Sequence, residues 1–231
     1  MQRTFASRHE IKFFLSATDA LWLSAKLAAA LSRDKNAGAD GSYLVRSLYL
    51  DDAWDSAYYE KLAGNPSRDK YRIRLYNLDD GVIQLERKRK LGDLISKDSA
   101  RISRRMAEQI ASGDPTGLDR VDNALIRDLF CEMRTKLLRP VVLVDYAREA
   151  FCHSAETARV TIDRCLRAGP RTGLFDPSAP TVPAFDVDQA VLEVKFDRVL
   201  PSPIASLLSG TPATRAAISK YVACRRFEPL R

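Results

Sequence analysis

Lys70-Tyr71-Arg72-Ile73-Arg74-Leu75-Tyr76 is the stretch that decides the fold. In an extended strand, residues two apart share a face. Lys70, Arg72 and Arg74 therefore lie on one side, with Tyr71, Ile73 and Leu75 on the other. One such strand is ordinary, because a half-exposed antiparallel sheet alternates in this way and Lys and Arg default to the surface. Here the pattern recurs. Arg8, Glu10 and Lys12 share a face, as do Glu86, Lys88 and Lys90; Tyr146 and Arg148; Arg159, Thr161 and Asp163; and Glu193 and Lys195, opposite Leu192, Val194 and Phe196. Six strands that each pair a charged face with an apolar face can turn their charges into a shared wet bore. Their apolar faces are then left for helices to cover.

Working outward, the hairpin partner of this strand is Val82 to Lys88, across a turn placed at Asp80-Gly81. Leu94 to Ile102 reads as a further strand. Upstream, Arg8 to Leu15 is strand-like, Thr18 or Asp19 can cap a helix through Leu21, Trp22, Leu23, Leu27 and Leu31, and Asn36 to Gly41 is a linker. Tyr43 to Leu50 is a strand, and Asp51-Asp52 opens a short helix toward Ala63. Downstream, Arg104 to Ser112 and Val121 to Leu138 read as helices. The second carries Val121, Leu125, Leu129, Met133 and Leu137 as an apolar stripe. Strands follow from Pro140 to about Cys152, Thr157 to Cys165 and Ala190 to Phe196, with a proline-rich loop from Gly169 to Gln189. Thr211 or Thr214 can cap a last helix, from about 212 to 225. The expected class is α+β: one domain over 1–231, a closed antiparallel β-barrel of about eight strands jacketed by helices.

Composition narrows the chemistry. The chain has 231 residues, 45% hydrophobic and 29% charged, with a net charge of +7. That basicity suits a polyanionic partner. Cys131, Cys152, Cys165 and Cys224 are scattered, which argues against zinc and against a disulfide framework. His9 and His153 are the only histidines, so a histidine-based triad or metal cluster is disfavoured. No apolar run reaches membrane-spanning length. The first residues do not read as a signal peptide, and a cytoplasmic location is the expectation. No G-x-G-x-x-G or P-loop pattern is present. Aromatics fall mainly on the apolar strand faces, which disfavours a nucleic-acid partner.

A bore lined with cations repels itself. Two lysines at 4 Å repel by roughly 4 kcal/mol at an effective dielectric near 20. A chain of phosphates would offset that and accept charge-assisted hydrogen bonds, with arginine as a planar fork and lysine as a point charge. Inward carboxylates then serve either to hold a divalent cation such as Mg²⁺ or Mn²⁺, or to neutralise neighbouring cations.

In order and spacing, several segments together resemble the VTC domain, the polyphosphate polymerase domain of the vacuolar transporter chaperone family, within the CYTH-like triphosphate tunnel metalloenzymes. They are Arg8-His9-Glu10-Ile11-Lys12-Phe13, Ser47 to Asp52 with Tyr58 to Leu62, Tyr71 to Tyr76, Leu85-Glu86-Arg87-Lys88, Leu138 to Val142 with Tyr146 to Phe151, Ala158 to Asp163, Val191 to Lys195, and Ser219-Lys220-Tyr221. The resemblance implies transfer of the γ-phosphate of ATP, or another nucleoside triphosphate, to a growing inorganic polyphosphate chain. Tripolyphosphate or nucleoside triphosphate hydrolysis on the same fold, and polyphosphate binding without turnover, are the alternatives. It implies catalytic roles for Lys12, Arg72, Arg74, Lys88, Arg148 and Arg159, and phosphate binding by Lys61, Lys97, Arg101, Lys195 and Lys220. Glu193, with Glu10, would hold Mn²⁺ or Mg²⁺. Lys97 and Arg101 compete for one role, and Glu10 is either a bore carboxylate or a counter-charge to Arg8 and Lys12. Glu86 is expected to pair with a neighbouring cation, Arg89 and Lys90 to be solvated, and Tyr146 to belong to the core. Ala217 stands where related chains carry a lysine, and Arg215 is the candidate to compensate.

Overall fold

The computed structural model describes residues 9–92, 94–152 and 158–227. Arg8 and Thr157, which the sequence places at strand starts, lie outside the described residues. Along the chain run β1 (His9–Ser16), α1 (Ala17–Ala30), β2 (Ser32–Arg33), β3 (Tyr43–Asp51), α2 (Ser56–Leu62), β4 (Ser67–Tyr76), β5 (Asp79–Leu91) and β6 (Leu94–Ile102). Then follow α3 (Arg104–Ala111), a single 3-10 turn at Leu118–Arg120, α4 (Ala124–Thr135), β7 (Arg139–Cys152), β8 (Ala158–Gly169), β9 (Val182–Pro183), β10 (Gln189–Phe196), α5 (Ser202–Leu208), β11 (Thr214–Arg215) and α6 (Lys220–Arg225). The class is α+β, with one large antiparallel sheet and six helices among the described residues.

The sheet order is β11-β1-β10-β8-β7-β3-β4-β5-β6, with β2 on β7 and β9 on β8. The eight long strands match the expected number, but no ladder joins β6 to β1 among the described residues, so the closed barrel is not formed. The reason is local. The outer edge of β1 is already taken, by Thr214 and Arg215 opposite Phe14 and Phe13 and by the Ala216 N–H donating to the Lys12 carbonyl at 3.1 Å. The sheet nevertheless curls until its ends touch through side chains: Lys88 Nζ on β5 donates to Glu10 on β1 at 3.0 and 3.1 Å.

The apolar faces are covered as the alternation requires. Tyr71, Ile73 and Leu75 of β4 and Ile83 and Leu85 of β5 pack with Ala107 and Ile110 of α3 and Leu125, Leu129 and Met133 of α4. On the other flank, Val160, Ile162, Leu192 and Val194 meet Leu23 and Leu27 of α1 and Ile204 of α5. Each fully buried aliphatic side chain of this kind contributes about 1.5–3 kcal/mol. The helices are thus anchored on the outside of the curl, and the charged faces are left to look inward.

Four boundaries differ from the sequence reading, each because a side chain or backbone competitor took the terminus. Ser16, and not Thr18 or Asp19, caps α1, its hydroxyl accepting from the Asp19 N–H at 3.0 Å. The β4–β5 turn is Asn77-Leu78, at φ 51° and 57°, and not Asp80-Gly81. Two consecutive left-handed residues suit the twist of a two-residue hairpin, and the Asn77 side chain also accepts from the Leu44 N–H at 2.8 Å. Asn123 caps α4, which leaves Val121 before the helix and Leu137 exposed beyond it at φ 56°. The last helix starts at Lys220, capped by Ser219, not near residue 212; α5 was not foreseen. No helix among the described residues is long and apolar enough to cross a membrane.

Candidate functional site

The inward faces enclose a cavity of about 1010 Å³. Among the described residues, fourteen lysines and arginines line it against four carboxylates, a surplus of ten, larger than the +7 of the whole chain. The molecule's excess positive charge is therefore concentrated on one concave surface. Twelve of the thirteen site residues expected from sequence are in this lining: Lys12, Arg72, Arg74, Lys88, Arg148, Arg159, Lys61, Lys97, Lys195, Lys220, Glu193 and Glu10. Arg101 is not among them. It shares the inward parity of Lys97 but lies four residues, roughly 13 Å, further along β6, where its guanidinium donates to the Gly81 carbonyl. The competition between Lys97 and Arg101 for a place in the cavity thus resolves to Lys97.

Register explains which groups meet. Lys12 faces Glu193, and Glu10 faces Lys195, across β1 and β10. Lys12 Nζ lies 3.1 Å from Glu10 and 3.6 Å from Glu193, and Lys195 Nζ lies 2.5 Å from Glu193. Burial and the Glu193 charge both oppose ionisation of Glu10, but Lys12, Lys88 and Lys195 outweigh them and hold its pKa at about 2. Burial likewise opposes the Glu193 charge, and Lys12, Lys195, Lys220 and Arg148 hold that carboxyl well below the ordinary range. Burial would lower Lys12, yet Glu193 and Glu10 keep its ammonium above the usual lysine value. Both carboxylates are thus ionised and shared among lysines.

A second knot forms around Glu86, which is almost fully buried. Arg72 Nε donates to it at 2.6 Å, Arg74 lies 3.7 Å away, and Lys97 also pairs with it. The expected pairing of Glu86 with a cation thus involves three of them. Arg72 is further fixed by the Tyr49 hydroxyl at 2.8 Å, and Arg74 by Ser47 at 3.0 Å and Tyr146 at 3.2 Å. Tyr146 is buried, as expected, but its ring also lies under Arg148 and Lys220, at 5.1 and 5.0 Å.

A third knot was not foreseen. Asp163 accepts from Arg148 Nε at 2.6 Å and Nη2 at 2.7 Å, and lies 2.6 Å from Lys220. Burial disfavours its charge, but Arg148 and Lys220 hold it ionised. Its parity with Arg159 and Thr161 was the available signal; the partners come from β7 and from the start of α6. Arg159 itself is held by Asp34 and, at 3.1 Å, by the Tyr43 hydroxyl. Lys90, expected in solvent, lines the cavity, whereas Arg89 faces the other way and pairs with Asp69 at 3.1 Å. Arg87, on the same outer face, is buried against Tyr71, Asp98 and Asp128. Arg215 and Ala217 both line the cavity, and Arg215 is exposed there.

The donor set bears on a metal. Among the described residues there is no cluster of three or more His, Cys, Asp or Glu arranged to hold an ion. Two carboxylates such as Glu10 and Glu193 would be donors enough only for a hard ion such as Mg²⁺ or Mn²⁺, which takes one or two and completes its shell with water and phosphate oxygens.

A likeness in shape accompanies the geometry. A Bacillus halodurans protein named as a candidate adenylate cyclase superposes with a TM-score of 0.51 at 11% identity, over 87% of this chain and 86% of that one. PH1819 from Pyrococcus horikoshii OT3 gives 0.45 at 11% identity over 91% and 95%. At 11% identity the first likeness speaks to the fold alone. No curated protein matches the chain. The family model of the VTC domain matches residues 7–227. With nearly its whole length matched, the chain belongs to the VTC domain family.

Proposed function

We propose that this chain is a metal-dependent polyphosphate polymerase. It would transfer the γ-phosphoryl group of ATP, or of another nucleoside triphosphate, to the end of an inorganic polyphosphate chain held in the cavity. The observation that carries the reading is the surplus of ten positive charges on one enclosed surface, in a chain of the VTC domain family. A polyanion of matching length would offset that surplus along the whole surface.

In the reaction, a terminal oxygen of the chain forms a bond to the γ-phosphorus. The bond from that phosphorus to the β–γ bridging oxygen breaks, and ADP leaves with the electron pair. Such transfers need positioning and charge stabilisation more than a protein nucleophile. Arg72 and Arg74 are held by Glu86, Tyr49, Ser47 and Tyr146 before substrate arrives, so their forks lose little freedom on binding phosphate. Arg148 and Lys220 are held likewise by Asp163. Lys12, Lys88 and Lys195 are shared between Glu10 and Glu193, and would turn to phosphate oxygens if those carboxylates took a cation. A divalent ion on Glu193 and Glu10 would neutralise charge on the transferred group.

Incubating the purified protein with ATP and Mn²⁺ and resolving the products by length tests the reading. Release of ADP with a ladder of long polyphosphate is expected. Orthophosphate alone would identify a tripolyphosphatase or nucleoside triphosphatase, and polyphosphate binding that persists in chelator without ADP release would identify a binding module.

A further inference from the structure

Apart from the exposed Arg215, the wall cations fall into two classes among the described residues. Lys12, Lys88 and Lys195 share Glu10 and Glu193; Arg72, Arg74 and Lys97 share Glu86; Arg148 and Lys220 share Asp163; Arg159 has Asp34. Lys61, Arg68, Lys70 and Lys90 are half-buried in the same wall, yet none forms an ion pair among the described residues. They cluster. Arg68 faces Lys90 across β4 and β5, Lys70 faces Lys88, and Lys61 projects from α2 close enough to Arg68, Lys90 and Lys12 for their charges to act on it. Arg68 donates only to the Asn65 carbonyl, and Lys70 reaches Ser219 Oγ at 3.4 Å.

We propose that Lys61, Arg68, Lys70 and Lys90 form a separate subsite for the emerging part of a linear polyphosphate chain, beyond the phosphates held at the paired cations. The proposal rests on the polyphosphate reading above and adds a direction to it. Along β4 the inward residues run Arg68, Lys70, Arg72, Arg74, Tyr76, and the first and last are eight residues, roughly 26 Å, apart. At the far end Tyr76 meets Tyr43 edge-on, with ring centroids 5.9 Å apart. One end of the cavity is thus aromatic, and the other is cationic with no counter-charge of its own.

Lys70 is crowded by the other cations of the cluster. Burial and the charges of Lys61, Arg68 and Lys12 bring its pKa down to about 7, against a small opposing effect of Asp51. From α6 it meets only the Ser219 hydroxyl and the ring of Tyr221, 4.8 Å from the amine. That ring face is already covered by the lysine, which leaves no stacking platform for a nucleobase and favours an inorganic chain over nucleic acid.

The test compares tripolyphosphate with a medium-chain linear polyphosphate, by calorimetry, on the wild type and on the Arg68→Gln/Lys90→Gln double variant. The double variant should bind the long chain at least about tenfold more weakly, with a salt slope reduced by about one to two units. Its affinity for tripolyphosphate should stay within about twofold, because Arg68 lies four residues, roughly 13 Å, along β4 from Arg72, and Lys90 as far along β5 from Glu86, so a ligand held there touches neither removed side chain. Equal losses for both ligands would place these residues in the triphosphate site and overturn the proposal. No loss for either would make them solvent cations and also overturn it. A single-stranded RNA bound more tightly than polyphosphate, and losing affinity in the variant, would overturn the inorganic assignment. If the double variant does not fold, Lys90→Gln alone gives the same comparison with a smaller long-chain loss. Should ATP yield no polymer while the length-selective loss is present, the polymerase reading fails and the subsite stands.

Discussion

Replacing Asp163 with Asn is the sharpest probe of how the cavity is wired. The side chain is 1% exposed and holds Arg148 and Lys220, which are 11% and 9% exposed. The amide keeps the shape but removes the charge, so two buried cations lose their counter-ion. Breaking a buried pair by neutralising one partner typically costs about 3–5 kcal/mol. For a chain of this length that is a fall in Tm of roughly 6–20 °C. The same change should strengthen anion binding, because Arg148 and Lys220 are released to phosphate and the local charge rises by one. A gain of about 1.4 kcal/mol would appear as tenfold tighter tripolyphosphate binding. Thermal unfolding with and without tripolyphosphate measures both effects: the variant should be the less stable protein alone and should gain more from the ligand. Unchanged stability together with unchanged affinity would refute the reasoning, since Asp163 would then not be what holds these cations.

Glu193→Gln should abolish turnover while polyphosphate binding in chelator is retained or improved; ADP release at the wild-type rate would remove the assignment of this carboxylate to a metal. Glu10 gives an acid limb. Its folded pKa is lowered from 4.5 to about 2, so the stability it contributes is present above pH 4.5 and is lost as the pH falls toward 2. Chemical denaturation across that range should show a shallower pH dependence in Glu10→Gln, and identical slopes would contradict the ion-pair account. Arg87→Ala tests the alternation. Its guanidinium is buried on the outer face against Tyr71 and the half-exposed Asp98 and Asp128, so about 1.5–3 kcal/mol of stability should be lost. Tripolyphosphate affinity of the folded fraction should be unaltered, and a large loss of affinity would mean that Arg87 contacts the ligand.

The inward set was legible because strand alternation is a local rule. Reading Lys70, Arg72 and Arg74 as one face and Glu86 and Lys88 as another needed only the period of two, and the cavity lining contains all five. Roles without a local signature were not legible. Asp163 was seen to share a face with Arg159, but its partner Lys220 is 57 positions away and reaches it only because α6 starts where it does. Arg101 shows the converse. It has the right parity and the wrong height along β6, and height depends on where the sheet curls.

By itself the sequence determined which side chains stand together on each strand, which faces are apolar enough to need helices, and that the charge excess suits an anionic partner. These follow from backbone geometry and from side-chain solvation, both set within a few residues. Tertiary structure alone decided that the curled sheet stays open between β6 and β1, since the outer edge of β1 had first to find Thr214 and Arg215. It also decided which cations are neutralised by carboxylates and which are left without one. That depends on distances of a few ångströms between strands far apart in the chain, over which Coulomb energies change steeply and local sequence carries no information.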